Sequence, residues 1–166
     1  LMLSEEKGRA FAKRVADKTK EIGAKLSFDV NFRKDIFRDF DAAKRAYEPF
    51  VKRADIVKFS EDELLDFMGI SGIDAAAESL CDKDKLILVT LGKNGSAYYF
   101  NDKKGVVPSE YKCRSVDTTG AGDAFFGAFL AAIENKEPTK ENIVSAMRNG
   151  NEKGAKTTEF FGAIKL

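Results

Sequence analysis

The order of apolar and polar positions divides the chain into alternating strand and helix patterns. Lys85 to Leu91 (Lys-Leu-Ile-Leu-Val-Thr-Leu) is an almost unbroken aliphatic run, the pattern of a strand buried on both faces. Ala54 to Phe59 predicts a shorter strand, and Ala24 to Val30 another, whose alternation breaks at Asp29. Ser4 to Ile22 has helical spacing, with Phe11, Val15 and Ile22 marking an apolar face and Gly23 as its stop. Residues 35–51 read as a helical connection ending near Pro49-Phe50. Two short helices follow, Glu61 to Met68 and Asp74 to Leu80, around a turn at Gly69 to Gly72. Gly92 to Gly95 turns into a strand at Ser96 to Phe100, and Asn101 to Gly105 is read as a tight turn into Val106-Val107. Ala124 to Ile133 holds only Ala, Phe, Leu, Ile and Gly, so a helix there is apolar all round and expected to be buried. After a loop at Glu134 to Pro138, a helix is expected from Thr139 to Gly154, then a tail. Alternating strands and helices predict an α/β layered fold with a mainly parallel sheet and right-handed crossovers.

Composition narrows the function classes. The 166 residues are 43% hydrophobic and 33% charged, the balance of an ordinary globular chain and most simply one domain. A net charge of +1 gives no electrostatic case for nucleic acid or an anionic membrane surface. The run from Ala124 to Ile133 is too short to span a bilayer. Cys81 and Cys113 are isolated, so reduced thiols in a cytoplasmic protein are expected. Histidine is absent, which removes Ser-His-Asp hydrolysis and leaves carboxylate, Lys, Cys or Tyr as proton acceptor. The chain opens at Leu1 directly into a helical pattern and reads as a piece of something longer.

The stretch with most chemistry is Asp117-Thr118-Thr119-Gly120-Ala121-Gly122-Asp123-Ala124-Phe125, a polar turn running into the apolar helix. Thr118 and Thr119 are candidates to cap backbone N–H groups. Gly120 and Gly122 let the backbone approach a ligand or take positive φ. A helix opened by Gly-Ala-Gly presents bare N–H donors and the positive end of its dipole, which suits phosphate. Asp123 then has two readings: an acid favoured in any first helical turn, or a base taking a proton from a hydroxyl that attacks the phosphate. No G-x-x-x-x-G-K-[ST] is present, and Phe125 stands where a dinucleotide fingerprint needs a small residue. Two other places carry polar groups at strand ends. Asp29, Asn31 and Arg33 alternate after the first strand, where ligands of open α/β sheets bind, although turn chemistry accounts for them equally. Ser60 with Glu63 is a capping box.

The string Asp-Thr-Thr-Gly-Ala-Gly-Asp-Ala-Phe closely resembles the C-terminal signature of the ribokinase-like (PfkB) sugar kinases. The resemblance implies an ATP-dependent kinase in which the amides of Gly120, Ala121 and Gly122 form the anion hole and Asp123 is the catalytic base. Phe28-Asp29-Val30-Asn31-Phe32-Arg33 resembles the Phe-Asp-x-Asn-x-Arg motif of fructokinases and 2-keto-3-deoxygluconate kinases, which implies that Asp29, Asn31 and Arg33 bind substrate or the moving phosphate. Fructose is then the first expected substrate, 2-keto-3-deoxygluconate the second and ribose the third. The family's Asn-x-x-Glu magnesium motif is matched at Glu63, which implies an outer-shell role toward Mg2+. Ser60 stands in place of its Asn, a departure that weakens the metal assignment. Thr90, Gly92 and Gly95 are similar to a segment lining the nucleotide site, and Asn149 lies where the family contacts adenine. In potassium-dependent members the tail and the Asp-Thr-Thr turn hold the cation, which makes Asp117 and Thr119 candidates for K+.

The resemblance covers nearly the whole chain but only about the C-terminal half of a family member. The Gly-Gly sugar motif, an Asp that orients the sugar and the small β-lid, which makes the dimer contact in many members, are not found. The expectation is therefore the nucleotide-binding part of a homodimeric, cytoplasmic sugar kinase. Alone, it should expose an edge and apolar faces and bind sugar weakly.

Overall fold

A computed structural model describes residues 2–32, 36, 37 and 39–163. The chain divides into two compact units, residues 1–87 and 88–166. Its strands are β1 (Ser27–Asp29), β2 (Ile56–Ser60), β3 (Leu86–Thr90), β4 (Ser96–Phe100) and β5 (Lys103–Val107), neighbours in the sheet in that order. The division between units falls within β3.

The first unit carries α1 (Glu6–Glu21), α2 (Phe40–Arg53), α3 (Glu61–Met68) and α4 (Ile73–Glu78). β1 and β2 pair in parallel, with Asp29 opposite Lys58, and α2 supplies the crossover. The core here is aromatic. Phe28 packs on Tyr47 and Phe50, and Phe32 stands edge-on to Tyr47 and Phe67 with ring centroids 5.3 and 5.6 Å apart. Each such pair adds about 0.5–1.5 kcal/mol beyond the area it buries. α2 opens on the Asp39 carboxylate, which accepts from the Ala42 N–H at 2.6 Å. At its other end the buried Lys85 Nζ donates to the carbonyls of Val51 and Lys52 at 2.9 and 2.8 Å, satisfying groups the helix leaves open.

Three expectations are corrected in this unit. α2 does not stop at Pro49, which lies inside it. Proline removes one helical N–H, but the next turn buries Phe50 and Val51, and the helix runs on to Arg53. α1 turns a different stripe inward: Ala12 and Ala16 are buried, while Phe11, Val15 and Ile22 are 52%, 45% and 66% exposed. Small side chains four residues apart let a helix approach its neighbour closely, which large ones prevent. The strand expected at Ala24 to Val30 is confined to Ser27–Asp29.

In the second unit β4 is wholly buried and pairs antiparallel with β5, Ser96 opposite Val107 and Phe100 opposite Lys103. The turn between them is shorter than the pattern suggested. It is centred on Asn101, at φ 53, and Asp102, and Gly105 belongs to the strand, where a Cβ would come within 2.9 Å of the Tyr98 ring. The sheet therefore joins a parallel pair at one end to an antiparallel hairpin at the other, within the α/β class expected. Two helices, α5 (Ala121–Ile133) and α6 (Lys140–Thr157), pack on each other. Gly150 and Gly154 make the close approach possible: a Cβ on Gly150 would lie 2.8 Å from Phe125 Cδ2, and one on Gly154 3.0 Å from the Ala121 carbonyl. That contact explains why α6 passes through Gly154 instead of ending there. α5 buries Phe125, Phe126, Phe129 and Ile133, whereas Gly127 and Ala131 are exposed. The helix expected to be buried all round is thus buried through its large side chains, and Gly127 and Ala131 face water.

Candidate functional site

The second unit builds a cavity at the start of α5. Gly120 is the N-cap residue, in the left-handed region at φ 79, and no side chain caps the helix. The capping expected of Thr118 and Thr119 is corrected: Thr119 Oγ1 donates to Asp117 Oδ1 at 2.7 Å, and Thr118 contributes only its carbonyl, which accepts from the Ala121 N–H. The cavity holds about 520 Å³, within the usual range for a small-molecule pocket. Thr118, Ala121 and Gly122 line one wall, and Thr90, Gly92 and Gly95 from the β3–β4 connection line another. The exposed side chains Lys93 and Lys112 also contribute, so amides, helix dipole and two ammonium groups all favour an anion.

Local backbone chemistry sets these walls. Gly95 has φ 97, and a Cβ on it would lie 2.2 Å from the Val107 carbonyl, so the connection folds flat onto the exit of β5 only with glycine. Asn151, also on the cavity wall, is buried and cross-braces three segments. Its Oδ1 accepts from Ser96 Oγ at 2.9 Å and its Nδ2 donates to the Val107 carbonyl at 2.9 Å. The sequence reading passed over Asn151, although it sits on the buried stripe of α6 with Met147 and Gly154. A polar residue on such a stripe is the signal that marks it. Lys93 and Lys112 were likewise passed over.

Not every candidate lies on that wall. Asp123 is exposed on the first turn of α5 and is not among the residues lining the cavity. Asn149 lines a neighbouring depression with Glu110, Tyr111 and Arg148, and donates to the Ala128 carbonyl at 3.1 Å. Tyr111 borders both hollows.

Asp117 and Thr119 belong to a staple between the turn and the tail. Asp117 Oδ1 accepts from the Thr119 N–H at 2.9 Å, and Oδ2 from the Gly162 N–H at 2.9 Å. The Gly162 N–H, then the Thr119 N–H and hydroxyl, hold the Asp117 carboxyl below its ordinary value of 3.8. A depressed pKa stabilises the fold fully above the unfolded value and is lost as pH falls through the folded one. The tail should therefore stay pinned at neutral pH and release only in acid below 3.8. The Gly162 amide resonance, followed through an acid titration, reads this directly, and Asp117→Asn should loosen the same amide at neutral pH.

The first unit gathers the other candidates at the carboxyl ends of β1 and β2. Lys58, 7% exposed in its side chain, bonds both oxygens of Asp29 at 3.0 and 3.3 Å. Asn31 stands in the left-handed region at φ 40. Arg33 lies outside the described residues. The capping box is complete: Ser60 Oγ accepts from the Glu63 N–H at 3.3 Å, and Glu63 Oε2 from the Ser60 N–H at 2.7 Å. Glu63 Oε1 accepts from the Phe32 N–H at 3.1 Å. Among the described residues no group of three His, Cys, Asp or Glu side chains is placed to hold a metal ion.

Comparison with known proteins is consistent across sequence and structure. The model of the pfkB family carbohydrate kinases matches residues 7–165. Fructokinase-1 of Zea mays is 41% identical over 160 residues, covering 91% of this chain and 48% of that protein. A crystal structure of fructokinase from Vibrio cholerae O395, with fructose, ADP and a calcium ion bound, superposes with a TM-score of 0.90 at 30% identity over 98% of this chain and 53% of that one. Aminoimidazole riboside kinase from Salmonella enterica, complexed with aminoimidazole riboside and an ATP analogue, superposes with a TM-score of 0.87 at 28% identity, over 98% and 55%. The chain spans about half the length of these relatives. Its fold is the ribokinase-like α/β fold.

Proposed function

The chain belongs to the pfkB family of carbohydrate kinases, and on that basis we propose that it is the nucleotide-binding half of an enzyme that moves the γ-phosphoryl group of ATP to a sugar hydroxyl. The uncapped N-terminus of α5, opening on a cavity of nucleotide dimensions, carries this reading. The amides of Gly120 and Gly122 meet the charge that develops on the transferred group, a contribution of about 3 kcal/mol per donor, and the Ala121 N–H joins them by leaving its 3.2 Å turn contact with the Thr118 carbonyl. Asp123 takes the proton from the attacking hydroxyl. Its place on the first turn but off the cavity wall suits a base, which must face the acceptor and not the nucleotide. Thr90, Gly92 and Gly95 flank the nucleotide, while Asn149 reaches adenine only through the hollow it shares with Tyr111.

In the first unit, Asp29, Asn31 and Arg33 serve substrate and phosphate, and Ser60 serves the nucleotide. Mg2+ supplies charge neutralisation on the phosphates when bound. Each Glu63 oxygen receives one N–H and keeps a lone pair for a metal-bound water, which fits an outer-shell role. Three of about four acceptor sites on Asp117 are taken, so a potassium ion at the Asp117–Thr119 turn would rest mainly on backbone carbonyls. Fructose is the leading substrate, because the relatives at 41% and 30% identity are fructokinases. 2-Keto-3-deoxygluconate and ribose follow. No helix among the described residues is long and apolar enough to cross a membrane, and the reading places a homodimer in the cytoplasm.

A second reading, nucleotide binding without transfer, is favoured by Lys58, which already holds both oxygens of the Asp29 carboxylate that a substrate would have to share. Incubation with ATP, Mg2+ and each of the three sugars, with the other half of the family fold supplied, distinguishes the two by mass spectrometry. Fructose phosphate is the expected product. Nucleotide binding with no sugar phosphate supports the second reading.

A further inference from the structure

The structure assigns to Glu63 a positioning role: its carboxylate clamps the loop after β1, which carries Asn31, to the first turn of α3. This inference rests on the reading of that loop as a substrate and phosphate contact. The observation behind it is that the capping box occupies only one Glu63 oxygen. Oε2 receives the Ser60 N–H at 2.7 Å, as a helix cap requires. Oε1 reaches out of the helix, 31 residues back along the chain, to the Phe32 N–H at 3.1 Å. One side chain thus ties the start of α3 to the residue immediately after Asn31.

The loop has reason to need a clamp. Asn31 lies at φ 40, in the left-handed region, which Asn tolerates better than most L-residues but which neighbouring contacts still help to hold. The neighbouring contacts fix both flanks. The Val30 N–H donates to the Lys58 carbonyl at 3.0 Å, and Lys58 Nζ holds the Asp29 carboxylate. The Phe32 ring is buried among Phe40, Tyr47 and Phe67. Tyr47 OH approaches the Asn31 carbonyl only at 3.5 Å. At Phe32 the charge-assisted bond to Glu63 holds the backbone itself, whereas the aromatic contacts hold the ring. A helix cap alone needs an acceptor for Ser60 and nothing at Phe32, so the second bond is a separate function.

The test compares Glu63→Ala and Glu63→Gln with Ser60→Ala, using amide hydrogen exchange of this chain resolved at Phe32. Ser60→Ala removes the hydroxyl end of the cap and leaves the carboxylate in place. Phe32 exchange should rise about tenfold or more in Glu63→Ala, the loss expected for a hydrogen bond to a charged group, and stay near the unsubstituted rate in Ser60→Ala. Glu63→Gln keeps the size of the side chain and one acceptor, and should fall between; circular dichroism confirms that each variant is folded. Equal Phe32 exchange in all four proteins overturns the clamp. A rise in Ser60→Ala matching that in Glu63→Ala does so too, because it reduces Glu63 to a cap. The functional arm measures phosphoryl transfer as Mg2+ is raised. A positioning role predicts that the loss in Glu63→Ala survives saturating Mg2+, with sugar KM raised. Full recovery at high Mg2+ overturns it in favour of a purely metal-directed carboxylate. If the unsubstituted protein transfers nothing with the other half of the fold supplied, the kinase reading fails, and the exchange measurement still decides the clamp.

Discussion

Asp123→Asn is expected to lower phosphoryl transfer by about 10²–10⁴-fold, the range for loss of a positioned general base, while nucleotide binding persists. The substitution keeps the size of the side chain and its place on the first turn of α5. It removes only the capacity to accept a proton at neutral pH. Asp123 is exposed and off the cavity wall, so the change should leave the fold and the nucleotide contacts intact. The absence of histidine leaves few substitutes for the role. Steady-state transfer by the protein with its complete fold, measured beside ADP affinity, checks both halves of the prediction. Near-normal turnover would remove Asp123 from the mechanism and return it to the reading of an ordinary first-turn acid.

Gly120→Val should unfold or loosen the second unit. At φ 79 any Cβ is strained, and here it would also lie 2.6 Å from Ala163 Cβ and 2.9 Å from its Cα. The left-handed backbone costs about 1–2 kcal/mol and overpacking about 1–3 kcal/mol, so a loss of roughly 2–5 kcal/mol is expected. For a chain of this size that lowers Tm by about 4–20 °C. Gly127 provides the control within the same helix. A Cβ there meets nothing within 4 Å, and Gly127→Ala should raise stability by about 0.5–1 kcal/mol. Thermal unfolding of the two variants separates a glycine that the geometry demands from one it merely tolerates. Equal Tm values would contradict the close approach of turn and tail.

What could be read beforehand was whatever depends on local pattern. The aliphatic run ending at Thr90 is β3, the apolar run from Ala124 is α5, and Ser60 with Glu63 forms the capping box that its spacing announced. The motifs around Gly120 and Asp29 point to the family by themselves. What stayed hidden depends on non-local packing. On α1 the large residues Phe11 and Val15 dominate the apolar signal, yet helix contact selects Ala12 and Ala16. Pro49 and Gly154 look like helix ends because local propensity counts against them, and tertiary contacts override it. Asn151 was missed and Asn149 chosen because both are polar residues two apart on one helix. Only the packing of α6 decides which is buried on the cavity wall. The Glu63 bond to Phe32 spans 31 positions, a separation no local pattern encodes.

The central claim is that nucleotide binds at the N-terminus of α5. Calorimetry of ADP with Mg2+ on this chain and on Gly122→Val, with circular dichroism to confirm that both are folded, tests it most directly. Gly122 lines the cavity one residue inside the helix, so a branched side chain there occupies the space the phosphates need. The account predicts saturable binding by the unsubstituted chain and its loss in Gly122→Val. Equal affinity in the two, or no binding by a folded unsubstituted chain, would contradict it.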